Sequence, residues 1–391
     1  MTGFFNDYWG KLEKVKELAH IGSSEIMGRG ISAIFWFYIA SQVGPEIFGQ
    51  LSFILGIVSF ADAFSSIGTQ NSVTVYAAKK IHVISPLYII SIIIGSISTI
   101  ILAIVFNRID FVPLILGYIL SNFAIGYLLG KRFSKKFFKF TLIQKILTVV
   151  FGIATFYIFG YEWILFGVGL SFLIFIFPIR QMISESNFNF KELIPRKGFI
   201  INNYILQILG RTNGNIDKLI IVPLLGFIVL GNFSLAFQVL AVMMVVSQVV
   251  FKVILPRDST GKKSATLKKG TMIIGMIITV IAIGLAPTVI PPLFPKFEQA
   301  IEPIQILSLC VIPGTINTFY LSKFLGIEKS KIILISYVIS ICILSACMII
   351  LGEIFGINGL AIAVVFSSIG SCLFLLAMDK KYFKERHGFL D

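Results

Sequence analysis

From Val83 to Asn107 the chain runs without a charged residue, "VISPLYIISIIIGSISTIILAIVFN", and a run of that length dictates its own solvent. A lipid core of about 30 Å is crossed by roughly 20 apolar residues in a helix. Only helices and closed barrels satisfy their backbone groups there, and unbroken runs this long are not barrel strands. Twelve such runs can be marked, near 22–42, 47–69, 84–106, 111–130, 141–160, 162–180, 199–224, 229–254, 270–290, 301–325, 331–351 and 356–378. Composition agrees: 57% of the residues are hydrophobic and 13% charged, outside the balance of soluble domains. The expectation is an all-α, polytopic membrane protein with about twelve transmembrane helices. Residues 1–20, a mixed-charge amphipathic segment without a cleavage pattern, are expected to lie at the membrane surface.

Charges outside the runs orient the chain. On the side shared by both termini stand 28 of the 33 Lys and Arg, including the six of 131–145 and the six of 252–269; Arg108 and Lys296 stand on the other. Positive loops stay in the cytoplasm, so both termini are expected there, in the plasma membrane. Most of the net charge of +14 is therefore topology, and nucleic-acid binding is not expected. The loops leave no room for a catalytic domain. The three histidines are scattered and the four cysteines sit in apolar runs, so no catalytic residue, metal site or cofactor is expected, with proton or sodium coupling left open.

Shifting the chain against itself by 182 residues lays "GRGISAIFWFYIASQVGPEIFGQLSF" from Gly28 over "GRTNGNIDKLIIVPLLGFIVLGNFSL" from Gly210. Gly28, Arg29, Gly44, Gly49 and Ser52 meet Gly210, Arg211, Gly226, Gly231 and Ser234, while Glu25 meets Gln207. Six runs separate the copies, so both cross in the same sense. The arrangement implied is two six-helix lobes, 1–190 and 191–391, as parallel repeats around a central cavity.

The stretch "GPEIFGQLSFILGIVSFADAFSSIGTQNSV", then "NIDKLIIVPLLGFIVLGNFSLAFQV" and "LPRDS", resembles the polysaccharide and O-antigen flippases, in the superfamily that also holds multidrug/toxin extruders and the lipid II flippase. Gly44, Pro45, Glu46, Phe48 and Gly49 carry the first pattern and Ser66, Ile67 and Gly68 its tail. Asp217, Lys218, Gly226 and Gly231 carry the second, with Phe233 where tyrosine is common. The resemblance implies two lobes opening alternately to the two faces.

Charged groups inside a membrane cost on the order of 2.5–3.5 kcal/mol and face a bundle interior or a cavity. Asn203, Gln207, Arg211, Asn215 and Lys218 recur at helical spacing and predict one polar stripe on the seventh run. Glu25 stands one turn before Arg29, either as a pair near the interface or as a coupling group. Asp62 has no basic neighbour on its own run, so it partners Arg29 or Arg211 or takes a proton; Asp217 and Lys218 could be a packing pair. The expected cavity set is Arg29, Arg211, Lys218, Gln207 and Asn215, with Glu25, Asp62 and Asp217 as coupling or charge partners. Arginine suits a diphosphate, so the expected cargo is a polyprenyl-linked oligosaccharide, its tail left among membrane lipids beside runs 1 and 8. Glycosyltransferases or a polymerase of the same pathway are the expected partners. A cation-coupled multidrug exporter using Asp62 is the main alternative; a membrane glycosyltransferase or a structural assembly partner fits less well.

Overall fold

The computed structural model describes residues 2–185, 188–259, 264–327 and 329–382, and side chains from Gly22 onward except those of Glu25, Lys252, Pro256 and Ser259. Among the described residues every regular element is a helix. In chain order these are α1 (Thr2–Val43), α2 (Pro45–Ser65), α3 (Gln70–Ala78), α4 (Ile84–Phe106), α5 (Phe111–Gly130), α6 (Ser134–Phe159), α7 (Ile164–Leu170) and α8 (Ile176–Ser184). There follow α9 (Lys197–Asn213), α10 (Ile216–Met243), α11 (Val245–Ser259), α12 (Ala265–Leu293), α13 (Ile301–Ser308), α14 (Val311–Gly326) and α15 (Ser330–Tyr382).

Among the described residues eight helical stretches are long and apolar enough to cross a bilayer, and α13 with α14, bent by 47°, makes a ninth. Two of the eight, Phe190–Met243 and Ser330–Tyr382, have 54 and 53 residues, more than twice what one crossing takes. Each is broken at a glycine with positive φ: Gly226, between the seventh and eighth runs marked from the sequence, and Gly356, at the start of the twelfth. Within α15 the two halves lie side by side, with Ser336 against Ser371 at 2.7 Å and Ser340 against Ser367 at 2.8 Å. With α1 carrying the first run, the fold is that of a polytopic bundle consistent with about twelve crossings.

Three expectations change. The first run is the end of one continuous helix that begins at Thr2. The second run ends early: α2 stops at Ser65, four residues short of the expected 69, and a further helix, α3, starts at Gln70, with the Thr69 hydroxyl accepting from the Ser72 amide at 3.2 Å. Gly68 sits in the break, where a Cβ would lie 2.3 Å from the Phe123 ring. The polar stripe of the seventh run is also interrupted. α9 ends at Asn213, and Asn215, with φ −143° and ψ −3°, is outside helical geometry, so Asn215 and Lys218 leave the register of Asn203, Gln207 and Arg211.

The helices group into two compact units. One comprises the chain up to Phe35 with Ile57–Arg211; the other comprises Trp36–Gly56 with the chain from Thr212 onward. Relative to a single cut at residue 190, the hairpin 36–56 and the segment 191–211 change sides. In the first unit α4 buries Ser91, Gly95 and Thr99 and exposes Ile93, Ile97, Ile101 and Ile104. That is the reverse of a water-soluble helix, and it is what lipid demands: small polar groups pack inward and bulky apolar ones face the tails. In the second unit α12 repeats the pattern, burying Thr271, Gly275 and Thr279 and exposing Ile273, Ile277 and Ile281.

Candidate functional site

The chemistry of the first unit concentrates at the end of α2. Asp62 lies in the last turn of α2, fully buried at 0% exposure. A carboxylate there opposes the negative end of the helix dipole, so it needs donors. It has them: Ser66 Oγ donates to Oδ1 at 2.8 Å, and Asn122 Nδ2 donates to Oδ1 at 2.9 Å and Oδ2 at 3.1 Å. From α9, Arg211 Nη2 reaches Oδ2 at 3.4 Å, its side chain 40% exposed. The hydroxyl of Tyr204, also on α9, caps the Phe64 carbonyl at 2.6 Å. Of the two cations open to Asp62 in the sequence, the fold chooses Arg211. Asn122, on α5, had no sequence signal beyond being an amide in an apolar run.

A second feature is positive. α1 and α6 run side by side in the same sense: a Cβ at Gly28 would lie 3.4 Å from Lys145 Cγ, and seven residues further along both helices a Cβ at Gly152 would lie 2.6 Å from the Phe35 ring. The stem of Lys145 therefore lies on the bare backbone of Gly28, and its charge is close enough to that of the neighbouring Arg29 for the two to repel. Arg29 is exposed, and neither cation forms a hydrogen bond or ion pair with a described residue. The loop tally of the sequence had absorbed Lys145. The signal that marks it is its place inside the fifth run, 141–160, beyond the other lysines of α6. The side chain of Glu25, the expected partner of Arg29, lies outside the described residues.

The other expected residues divide between the units. Gln207 stays in the first, its amide nitrogen buried without a hydrogen-bond partner. Asn215, Asp217 and Lys218 belong to the second. Lys218 Nζ donates to Asn215 Oδ1 at 2.9 Å and stands 3.8 Å from Asp217 Oδ1. Buried Asp217 also borders a cavity of about 270 Å³, whose polar lining includes Asn213, Asn317, Ser336, Ser340 and Ser367. Among the described residues no three His, Cys, Asp or Glu side chains cluster closely enough to hold a metal ion.

No family profile and no curated protein matches the chain. Solved structures do. An inward-facing multidrug resistance transporter of the MATE family, MOP superfamily, superposes with a TM-score of 0.70 at 15% identity, over 92% of this chain and 96% of that one. The lipid II flippase MurJ in an inward closed conformation gives 0.69 at 18% identity, over 94% and 87%. A MOP superfamily transporter from Pyrococcus furiosus, described as having a binding pocket of reversed polarity, gives 0.66 at 14%, over 94% and 96%. At these identities the likeness establishes a shared fold, that of polytopic transporters, over nearly the whole chain.

Proposed function

We propose that the protein is a plasma-membrane transporter that moves an anionic, lipid-linked cargo, a polyprenyl-diphosphate oligosaccharide destined for surface polysaccharide. The observation that carries the reading is the pair Arg29 and Lys145, two adjacent cations without an acidic partner among the described side chains. Two like charges left together in a membrane helix pair are costly, and a diphosphate supplies both the counter-charge and the oxygens they lack. The carboxylate a cation exporter would need in this unit, Asp62, is instead engaged by Arg211, Asn122 and Ser66. The transporter fold supports movement of cargo, and the headgroup chemistry supports its class.

One observation favours a second reading. Asp217 borders a hydroxyl-lined cavity, which suits a cation-coupled exporter in which that carboxylate serves the driving ion.

The test is reconstitution in liposomes with a polyprenyl-diphosphate oligosaccharide in one leaflet, its arrival in the other read by an impermeant glycosidase. Arg29→Ala and Lys145→Ala should each slow flipping by about tenfold or more, the loss of one charge-assisted phosphate contact being worth about 1.5–3 kcal/mol. A protein that exports cationic dyes, leaves the lipid-linked glycan in place and tolerates both substitutions is an exporter, and the proposal fails.

A further inference from the structure

The turns at Gly44 and Gly226 both lie within the second unit. These residues are 182 apart and turn the chain with the same φ of 82°. Five residues beyond each lies another glycine, and the two face each other's turn. A Cβ at Gly49 would sit 2.0 Å from the carbonyl oxygen of Phe227, and a Cβ at Gly231 would sit 1.8 Å from the carbonyl oxygen of Pro45. Under the same shift of 182, Pro45 corresponds to Phe227 and Gly49 to Gly231. Each hairpin therefore presses its glycine onto the equivalent residue of the other, the contact expected of two copies related by a local two-fold axis.

We infer that Gly49 and Gly231 form a reciprocal latch that closes the Gly44 and Gly226 turns against each other and must part when the two hairpins separate. Both glycines are buried, and the obstructing atoms are backbone, so no rotamer change admits even a methyl group. The surroundings are suited to opening and closing. Phe53 meets Phe227 edge-on at 5.7 Å, Phe48 meets Phe297 at 6.0 Å, and beside the Gly44 turn Lys296 Nζ makes a long contact with the Gln42 carbonyl at 3.5 Å. Dispersion between close-packed backbones and ring edges holds such a contact while it is shut and forfeits little hydrogen bonding when it opens. The latch is a property of the two hairpins and is independent of which cargo the protein carries.

Spin labels on cysteines at Glu46 and Ile228, both exposed and equivalent under the shift, report the separation directly in liposomes by pulsed electron resonance, with Cys342 and Cys347 replaced by serine. Wild-type protein should show a short, latched distance and a longer, open one. Gly49→Ala or Gly231→Ala should shift the ratio toward the longer by about tenfold or more, overpacking typically costing 1–3 kcal/mol. Gly284→Ala, where no atom lies within 4 Å of the new methyl group, should leave it unchanged. A single fixed distance in the wild type overturns the latch even if an alanine variant does not fold, and so does an unchanged ratio in folded alanine variants.

Discussion

Asp62 and Arg211 make a pair in which the two partners are not equally replaceable. The carboxylate is wholly buried, whereas the guanidinium is partly open. Removing the arginine leaves a buried charge with only Ser66 and Asn122, and breaking a buried pair costs 3–5 kcal/mol, a range the exposure of Arg211 brings down to about 3 kcal/mol or less. Asp62→Asn combined with Arg211→Ala removes both charges and retains a polar group for Asn122, costing about 1 kcal/mol. The double variant should thus stay monodisperse on heating to higher temperatures than Arg211→Ala alone, as followed by gel filtration in detergent; the opposite order would show that Arg211 does not neutralise Asp62. The sequence could name both candidate partners of Asp62. Choosing between them required the break after Ser65 and the packing of α9, neither of which leaves a mark in residue types. Lys145 was hidden differently: it falls inside the fifth run, 141–160, yet counting it with the neighbouring loop lysines assigns it to water, and only packing shows its stem on Gly28.

At the level of helices, apolar length was the legible part, because the requirement to satisfy backbone groups in lipid writes it directly into the sequence. Interruptions were less legible. In the 66–69 segment between α2 and α3 a glycine is pressed against Phe123, a tertiary contact, and beyond the end of α9 Asn215 departs from helical geometry. Helix ends also carry ties that residue counts pass over. Glu185, just past the end of α8, meets Lys131 from the end of α5 at 2.8 Å and accepts from Gln181 at 3.0 Å. Lys131 first and Gln181 second hold its carboxyl at about 2, below the ordinary 4.5. With the folded value depressed, the stabilisation is fully present above about pH 4.5 and is lost as pH falls toward 2. The difference in thermal stability between wild type and Glu185→Gln should therefore be constant from pH 7 to pH 5 and shrink below pH 4.5. A difference that instead grows on acidification would assign the depressed carboxyl to another residue.

For the molecule as a whole, the 182-residue shift found in the sequence recurs as matched turns at Gly44 and Gly226 and as facing contacts at Gly49 and Gly231. The contact groupings, however, are not two halves of the chain, since 36–56 and 191–211 each join the other half's helices. A repeat is a statement about ancestry of segments, and a compact unit is one about packing, so the sequence could supply the first and not the second. Orientation rests on neither. It rests on the distribution of Lys and Arg, where setting Lys145 aside as lying inside the fifth run leaves 27 of the 28 cytoplasmic cations while Arg108 and Lys296 still stand alone opposite. An imbalance that large outweighs any single boundary error, because reversing the chain would carry 27 cations instead of two across the membrane against the potential. Alkaline phosphatase, which folds to activity only outside the cytoplasm, should be active when fused after Asn107 or Lys296 and inactive after Arg132, Lys197 or Tyr382. Fluorescent-protein fusions at the same five points should give the complementary pattern. Activity after both Asn107 and Arg132 would mean that α5 does not cross, and every later helix would then have to be reassigned.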